Sequence, residues 1–314
     1  LAIRGNKAND EYLTGYLEGR KAHSIYEIDG IVLDVDRAEK RAEMNPTRDT
    51  LNPAYTIKYK MNTDICDIRV IDVEYNASSH AYWKPRVNLE PTEMGGVTVS
   101  WATGFNAGFI RDNKIGPGAV LRVTRSGDVI PFIMGVVTAA EEAQLPTDEY
   151  SYHWTAGGVD AVLDNPEDVP IVRIKRMVRF FEKIEAPLLK MGNVEKLVNL
   201  GYTKENVIRA TKEILVQDLG KNGEKVYEGL RKKLTDIPLY KLMGAISSER
   251  GIGVRRMKKL QDAFGRDGLF SCRSMHQIMG VEGFDEITAT AALNVIDDFH
   301  EFYSEMKDYV TIAE

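Results

Sequence analysis

Residues 26–35, Tyr26-Glu27-Ile28-Asp29-Gly30-Ile31-Val32-Leu33-Asp34-Val35, form an apolar run that is typical of a β-strand and carries three carboxylates. A second run, Ala54-Tyr55-Thr56-Ile57-Lys58-Tyr59-Lys60, alternates polar and apolar residues. This alternation predicts a strand with one solvated face that holds both Lys58 and Lys60. A carboxylate on one strand beside lysines on the next can hold a hard cation through oxygen and a phosphate through charge. Outward acids and lysines are also common in half-buried sheets, and these two runs alone favour that plainer interpretation.

The chain has 314 residues, enough for two or three domains with packed cores. Its composition is globular, with 43% hydrophobic and 28% charged residues. No apolar run has the length of a membrane span and no signal peptide is evident, so no membrane partner is expected. The isolated Cys66 and Cys272 cannot build a four-ligand zinc site and suggest no disulfide, which favours a cytoplasmic location. The net charge of −6 does not exclude nucleic acid, because phosphate contacts need only local basic clusters.

The predicted elements change in type along the chain. A short helix is predicted over residues 9–18, before the first strand. About five short β-type runs, broken by glycine and proline, suit a small barrel such as an oligonucleotide-binding (OB) fold. These runs cover residues 68–75, 86–89, 97–102, 119–124 and 129–137. An acidic linker follows at residues 139–150, residues 151–170 show no clear period, and basic helix signals begin near residue 174.

Four glycine turns recur in the helical last third at intervals of roughly thirty residues. They are Met191-Gly192-Asn193, Gly220-Lys221-Asn222-Gly223, Arg250-Gly251-Ile252-Gly253 and Val281-Glu282-Gly283. In each, glycine is expected to turn the backbone tightly before a helix, leaving unpaired N–H groups that suit a phosphate. Arg255 and Arg256 follow the third turn. One such turn is an ordinary helix connection, whereas four in series favour binding to the backbone of a nucleic acid duplex.

In this order the motifs resemble those of an NAD-dependent DNA ligase. Glu27-Ile28-Asp29-Gly30-Ile31-Val32 is similar to that family's fourth nucleotidyltransferase motif, and Ile57-Lys58-Tyr59-Lys60 to its fifth. Three further segments resemble motifs of that family's OB domain in their order and spacing. They are Leu89-Glu90-Pro91, Val99-Ser100-Trp101-Ala102-Thr103 and Arg125-Ser126-Gly127-Asp128-Val129-Ile130-Pro131. The four glycine turns resemble its helix-hairpin-helix domain.

The resemblance implies an α+β multidomain protein with four parts. These are the C-terminal portion of an adenylation domain with a partial nucleotidyltransferase sheet at residues 1–62, an OB-fold β-barrel at 63–138, a linker and degenerate zinc-finger-like segment without cysteines at 139–172, and an all-α helix-hairpin-helix domain at 173–314.

Residue roles are implied by the same resemblance. Lys60 would stabilise the α-phosphate of NAD, and Asp29 would orient the nucleophilic amine or its metal, which makes both catalytic. Residues expected to bind the nucleotide are Glu27, Gly30, Lys21 and Lys58. Residues expected to bind DNA are Arg125, Gly192, Gly223, Gly251, Gly253, Arg255, Arg256 and Gly283. The implied cofactors are NAD, through its AMP moiety, and Mg²⁺, with no zinc and no assigned metal ligands; the implied partner is nicked double-stranded DNA in replication and repair.

Four departures from the family matter. No Lys-x-Asp-Gly motif, which carries the family's nucleophilic lysine, precedes Asp29. Asp34 stands where the family usually has lysine, and its charge would repel a nucleotide phosphate unless another cation such as Lys58 compensates. Residues 151–170 contain none of the four cysteines of the family's zinc finger. No BRCT domain is expected after the fourth turn.

Three interpretations stay open. The leading one is the larger, C-terminal subunit of a split ligase, for which a phage is one source. A second polypeptide then supplies the nucleophilic lysine and the NAD-selecting domain, and residues 1–35 pair with its strands. The second is a non-catalytic clamp that binds nicked or duplex DNA, which Asp34 favours. The third is a fragment of one longer ligase, which the leucine at position 1 fits.

Overall fold

The structure is a computed structural model that describes residues 9–26, 28–44, 53–60, 65–94, 96–126, 130–147 and 149–313. The chain divides into two compact units. The first comprises Leu1–Asn76 and Lys84–Pro146, and the second comprises Ala77–Trp83 and Thr147–Glu314. None of the described helices is both long and apolar enough to cross a membrane.

The first unit begins with two short helices and two short strands. These are α1 (Asp10–His23), β1 (Ile31–Asp34), α2 (Ala38–Glu43) and β2 (Thr56–Tyr59). The Asn9 side chain caps α1, and Leu13 and Leu17 are its buried residues. The helix extends five residues beyond the predicted end at residue 18. Basic side chains in its last turn stabilise the helix, because the C-terminal end of its dipole is negative.

β1 is shorter than the ten-residue run from which it was predicted. It pairs antiparallel with β2, with Ile31 opposite Tyr59 and Asp34 opposite Thr56. In the described chain these two strands pair only with each other. Val32 and Ile57 lie on opposite faces and expose 62% and 56% of their surface, so each face of this sheet leaves apolar surface exposed.

The predicted barrel is confirmed. Its elements are β3 (Ile65–Ala77), β4 (Trp83–Met94), β5 (Val97–Thr103), α3 (Ala107–Asp112), β6 (Val120–Ser126) and β7 (Ile130–Thr138). The strands hydrogen-bond in the order β5-β4-β3-β6-β7, and β7 contacts β5, which closes the sheet on itself. Alternate residues point into a core that includes Val87, Leu89 and Leu121.

The second unit opens with a hairpin that the sequence did not predict. β8 (Tyr152–Trp154) pairs with β9 (Ala161–Leu163), and Gly158 takes a positive φ in the turn between them. Tyr82, in the segment 77–83, forms a β-bridge with Val162. A short 3-10 helix follows at Pro166–Asp168.

Helices make up the rest of this unit. They are α4 (Pro170–Lys183), α5 (Met191–Asn199), α6 (Lys204–Arg209), α7 (Lys212–Leu219), a 3-10 turn (Gly220–Asn222), α8 (Gly223–Leu234), α9 (Leu239–Ile246), α10 (Val254–Ser271), α11 (Met275–Met279) and α12 (Glu286–Met306). Successive helices pack in pairs, α7 on α8, α9 on α10 and α11 on α12. Their apolar faces share one core that includes Phe180, Phe181 and Phe299.

The first glycine turn was predicted wrongly. Gly192 lies inside the first turn of α5, which begins at Met191. The break between α4 and α5 is made instead by Glu185 and Leu188, which both have positive φ although neither is glycine. Because non-glycine residues rarely adopt this conformation, composition could not locate the turn.

Candidate functional site

Asp29 lies between two lysines at the open end of the β1–β2 hairpin. The Lys58 ammonium donates to both Asp29 carboxylate oxygens, at 2.7 and 2.8 Å. The Lys60 ammonium lies 3.0 Å from Asp29 Oδ2. Hydrogen bonds from Lys58 and then Lys60 lower the pKa of Asp29 to about 2. The three side chains therefore form an exposed cluster with a net charge of +1 at neutral pH, which can attract a phosphate.

Gly30 is what lets the two runs approach this closely. A Cβ at Gly30 would lie 2.5 Å from the Tyr59 carbonyl oxygen and 3.1 Å from side-chain carbons of Lys58 and Lys60. The register that pairs Ile31 with Tyr59 brings Gly30 alongside Lys60. Gly30, which was predicted to bind the nucleotide, is therefore also needed for packing, because any side chain at this position would clash with Tyr59.

α1 is joined to the same hairpin through Tyr59. The Tyr59 hydroxyl donates to Asp10 Oδ1 at 2.5 Å and lies 2.7 Å from the Thr14 hydroxyl. Hydrogen bonding to the Asp10 carboxylate raises the pKa of Tyr59 above its usual value. Because Tyr59 is flanked by Lys58 and Lys60, this contact helps to set the position of both lysines.

Asp34 is separate from the lysine cluster. It accepts a hydrogen bond from the Thr56 hydroxyl. The Lys58 ammonium, opposite Val32 in register, is directed to Asp29 instead. Lys58 is therefore not paired with Asp34. That Lys58 substitutes for the family's lysine at the nucleotide phosphate stays a prediction.

The other predicted nucleotide-binding residues lie outside the cluster or outside the described residues. Lys21 is exposed in the last turn of α1, and in the described part of the chain no hydrogen bond or ion pair links it to Asp29. Glu27 falls outside the described residues.

Three of the four predicted glycine turns do lie between helices. Gly220, Gly251 and Gly283 take φ values of 60°, 87° and 90°, a region that favours glycine. Gly223 begins α8 against α7, where a Cβ would lie 2.1 Å from the Leu215 carbonyl oxygen. Gly253 is the N-cap of α10 with extended backbone angles, and no side chain caps that helix.

The third and fourth turns come together through Arg256. Its guanidinium lies 3.3 Å from the position of a Cβ on Gly251 and 5.9 Å from the centre of the Phe284 ring. Lys259, one helical turn further along α10, reaches to within 3.8 Å of the corresponding position on Gly283. Two glycine turns and two cations thus share one surface, as a binding site for two phosphates requires.

The N-terminus of α12 differs from the prediction. Asp285 accepts from the Thr288 amide at 2.8 Å, and the Thr288 hydroxyl accepts from the Asp285 amide at 2.9 Å, which completes a capping box. These bonds satisfy the N–H groups that were expected to be free for a phosphate, and the carboxylate disfavours an anion there. The Asp-x-x-Thr spacing was a visible signal of this cap.

Arg125 is the predicted DNA-binding residue of the barrel. Its backbone pairs with Pro131 across β6 and β7. Its side chain, and the turn residues Gly127 and Asp128, lie outside the described residues. Arg255 is exposed on the first turn of α10, next to Arg256.

Two residues that the sequence did not single out connect the β8–β9 hairpin to the third turn. Arg250 donates to Asp160 Oδ2 at 2.8 Å, and the Asp160 side chain is only 6% exposed. The Arg250 guanidinium also lies 4.9 Å from the centre of the Tyr82 ring. No sequence signal pairs residues ninety positions apart, so only the fold reveals this contact.

Within the described ranges, no three His, Cys, Asp or Glu side chains converge as they would around a metal ion. Asp29 is a single carboxylate beside two lysines. Mg²⁺ is often bound by one or two protein carboxylates together with substrate phosphates and water, so this arrangement is compatible with it.

Comparisons with known proteins agree with this geometry. The family model described as the NAD-dependent DNA ligase OB-fold domain matches residues 69–145, the segment that forms most of the barrel. A DNA ligase of Acanthamoeba polyphaga mimivirus is 32% identical over 96% of this chain and 48% of its own length. The putative DNA ligase 052L of Invertebrate iridescent virus 3 is 34% identical over 80% of this chain and 33% of its own length.

Bacterial relatives extend the comparison. A DNA ligase of Psychromonas ingrahamii is 27% identical over 90% of this chain and 44% of its own length. The chain thus spans between a third and a half of the relatives it matches. Residues 69–145 therefore form an OB-fold domain of the NAD-dependent DNA ligase family, and the chain as a whole matches the C-terminal part of such a ligase.

Proposed function

We propose that this chain supplies half of the active site and most of the DNA-binding surface of an NAD-dependent DNA ligase that seals nicks in duplex DNA. The observation that carries the proposal is the Asp29 carboxylate held between Lys58 and Lys60, in a segment that is followed along the chain by a barrel matching this ligase family. We assign residues 1–62 to the C-terminal portion of the adenylation domain, 63–138 to the OB fold, 139–172 to a linker and degenerate zinc-finger-like segment without cysteines, and 173–314 to a helix-hairpin-helix domain.

At the lysine cluster, the protein's task is to hold phosphate charge. Lys60 and Lys58 act as point charges on the α-phosphate of NAD and later on the adenylate. Asp29 orients both ammonium groups, and its low pKa keeps it ionised throughout the neutral pH range. When a phosphate arrives, one lysine can transfer its contact from Asp29 to the ligand while the other continues to hold the carboxylate. Mg²⁺, held by Asp29 and the phosphates, would supply further charge neutralisation.

The exposed apolar residues of the β1–β2 sheet support the proposal that further strands complete the adenylation domain. Val32 and Ile57 leave apolar surface on both faces, and a two-stranded sheet alone is marginally stable in water. We assign the missing strands, the nucleophilic lysine and the NAD-selecting domain to a second polypeptide. The 314 residues contain no Lys-x-Asp-Gly motif, so in this proposal the nucleophile lies outside them.

DNA is bound through the helical hairpins and the barrel. The surface shared by the third and fourth turns offers Gly251, the uncapped N-terminus of α10, Arg256 and Lys259 to two successive phosphates. Backbone amides and cations read no base sequence, which suits an enzyme that must act at any nick.

A nick-sealing assay with NAD and Mg²⁺ tests this function. The purified chain alone should give no adenylated species and no sealing, and addition of proteins that co-purify with it should restore both. Lys60→Ala should then reduce sealing by at least a hundredfold, because a cation at the transferred phosphate is lost. Lys40→Ala is the matched control, since Lys40 pairs with Glu43 in α2 at 2.7 Å. Robust sealing by the chain alone would contradict the split arrangement.

A clamp that binds nicked DNA without catalysis is the alternative. It is favoured by the fact that Lys58 and Lys60 are already neutralised in part by Asp29, and that Asp34 adds a negative charge to the same hairpin. Binding to nicked duplex without sealing, under every pairing with co-purifying proteins, would support the clamp.

A further inference from the structure

The four residues before Gly251 are each held by a side chain from a different part of the second unit. The Ser247 carbonyl accepts from Arg179 of α4, the Ser248 carbonyl accepts from His80 Nδ1 at 2.7 Å, the Glu249 carboxylate accepts from Asn294 of α12 at 3.0 Å, and Arg250 donates to Asp160 at 2.8 Å. We call this set the collar of the third turn. The Ser247 hydroxyl also donates across the turn to the Ile252 carbonyl at 2.7 Å.

The fourth turn has no such support among the described contacts. The hydrogen bonds described for residues 280–284 all join backbone groups. The third turn is also packed more tightly, because a Cβ on Gly244 of α9 would lie 2.3 Å from the Val254 amide nitrogen. A turn held from several sides loses little conformational freedom when it binds a ligand, which favours affinity.

Asp160 is the buried charge of the collar. It is 5% exposed as a residue, whereas the Arg250 side chain that it holds is 60% exposed. A carboxylate this buried needs charged or polar partners, so it constrains Arg250 more firmly than a surface ion pair would. Arg250 directly precedes Gly251, so a fixed Arg250 also fixes the start of the turn.

We propose that Asp160 is a positioning residue for the third glycine turn, holding Arg250 so that the Gly251–Gly253 backbone is preset to receive a DNA phosphate. The inference rests on the proposed DNA-binding function. In this proposal the β8–β9 hairpin, which carries Asp160 in its turn, supports the third glycine turn through Arg250.

Asp160→Asn in the full chain is the test. In the free protein, amide hydrogen exchange at residues 251–254 should rise at least tenfold while α8 and α12 keep their protection. Affinity for a nicked duplex should fall by roughly 3- to 10-fold, the cost of ordering a freed turn, with an unchanged dependence on salt. Glu305→Gln is the matched control, because it removes another arginine–carboxylate pair, with Arg209 at 3.0 Å, without touching the turn.

Arg250→Gln provides a second variant should Asp160→Asn fail to fold. It should raise the same exchange rates. Where both single variants fold, the double variant should lose no more affinity for the nicked duplex than the single variant that binds it less tightly, because the two residues act as one unit.

Two results would overturn the proposal. Unchanged exchange and affinity would show that the turn needs no support. Tighter binding of Asp160→Asn with a steeper salt dependence would show that Arg250 is itself a phosphate ligand restrained by Asp160. If the unaltered chain fails to bind nicked duplex, the proposed function falls, and the exchange measurement still decides whether Asp160 fixes the turn.

Discussion

At the scale of single residues, the pKa of Asp29 reports whether Lys58 and Lys60 lie beside it. Its pKa of about 2 lies below the value of 3.8 for a free side chain, because Lys58 and Lys60 favour the ionised form. A lowered pKa in the folded state means that the ion pairs stabilise the fold above about pH 4 and that this contribution is lost as the pH falls toward 2.

Removal of both lysines should therefore return the pKa of Asp29 toward 3.8. Carboxyl ¹³C NMR titration of the Lys58→Ala, Lys60→Ala double variant measures this. Glu185 serves as an internal control, since Lys241 and Lys233 in the other unit lower its pKa to about 2 and should continue to do so. A pKa of Asp29 that stays near 2 in the double variant would disprove the described cluster.

Arg256 and Lys258 provide a matched test of the proposed DNA surface. Arg256 lies at Gly251 and Phe284, whereas Lys258 pairs with Asp262 at 2.8 Å on α10. Arg256→Gln should weaken binding to a nicked duplex and lower the slope of log affinity against log salt by about one, because one phosphate contact is lost. Lys258→Gln should change both much less. Equal losses would indicate a general effect of charge rather than a specific contact.

At the scale of elements, glycine has different tasks at positions that look alike in the sequence. A Cβ at Gly223 would lie 2.1 Å from the Leu215 carbonyl oxygen, whereas no atom lies within 4 Å of the corresponding position on Gly192. The α7–α8 pair therefore depends on its glycine, and α5 does not.

Gly223→Ala should lower the free energy of unfolding by about 3 kcal/mol, because the added methyl group forces two helix backbones apart. Gly192→Ala should instead raise the free energy of unfolding by up to ~1 kcal/mol, since alanine is the better helix former. Urea denaturation followed by circular dichroism compares the two variants. Similar effects of the two substitutions would show that the contact at Gly223 yields easily.

At the scale of the whole molecule, the two faces of the β1–β2 sheet are the surfaces on which partner strands would complete the proposed adenylation domain. If other strands complete this sheet, Val32→Asp and Ile57→Asp should abolish association with the co-purifying partner and the sealing that depends on it. DNA binding by the chain should persist, because these residues are far in sequence from the helical hairpins. Val159→Asp is the control, as this valine is 49% exposed in the second unit. Sealing that survives both substitutions would exclude these faces as the contact.

Several features of this protein follow from the sequence by itself because they depend on neighbours in the chain. Short β-type runs broken by glycine and proline predicted the barrel strands, and alternation within residues 54–60 predicted the shared face of Lys58 and Lys60. The basic helix signals near residue 174 predicted α4. Only the tertiary structure decided which distant groups meet: Asp29 with both lysines, Arg256 with the third and fourth turns, and Asp160 with Arg250. It also placed Gly192 inside a helix. Such contacts depend on how whole helices and strands pack, and the spacing of residues within one segment does not indicate which elements will touch.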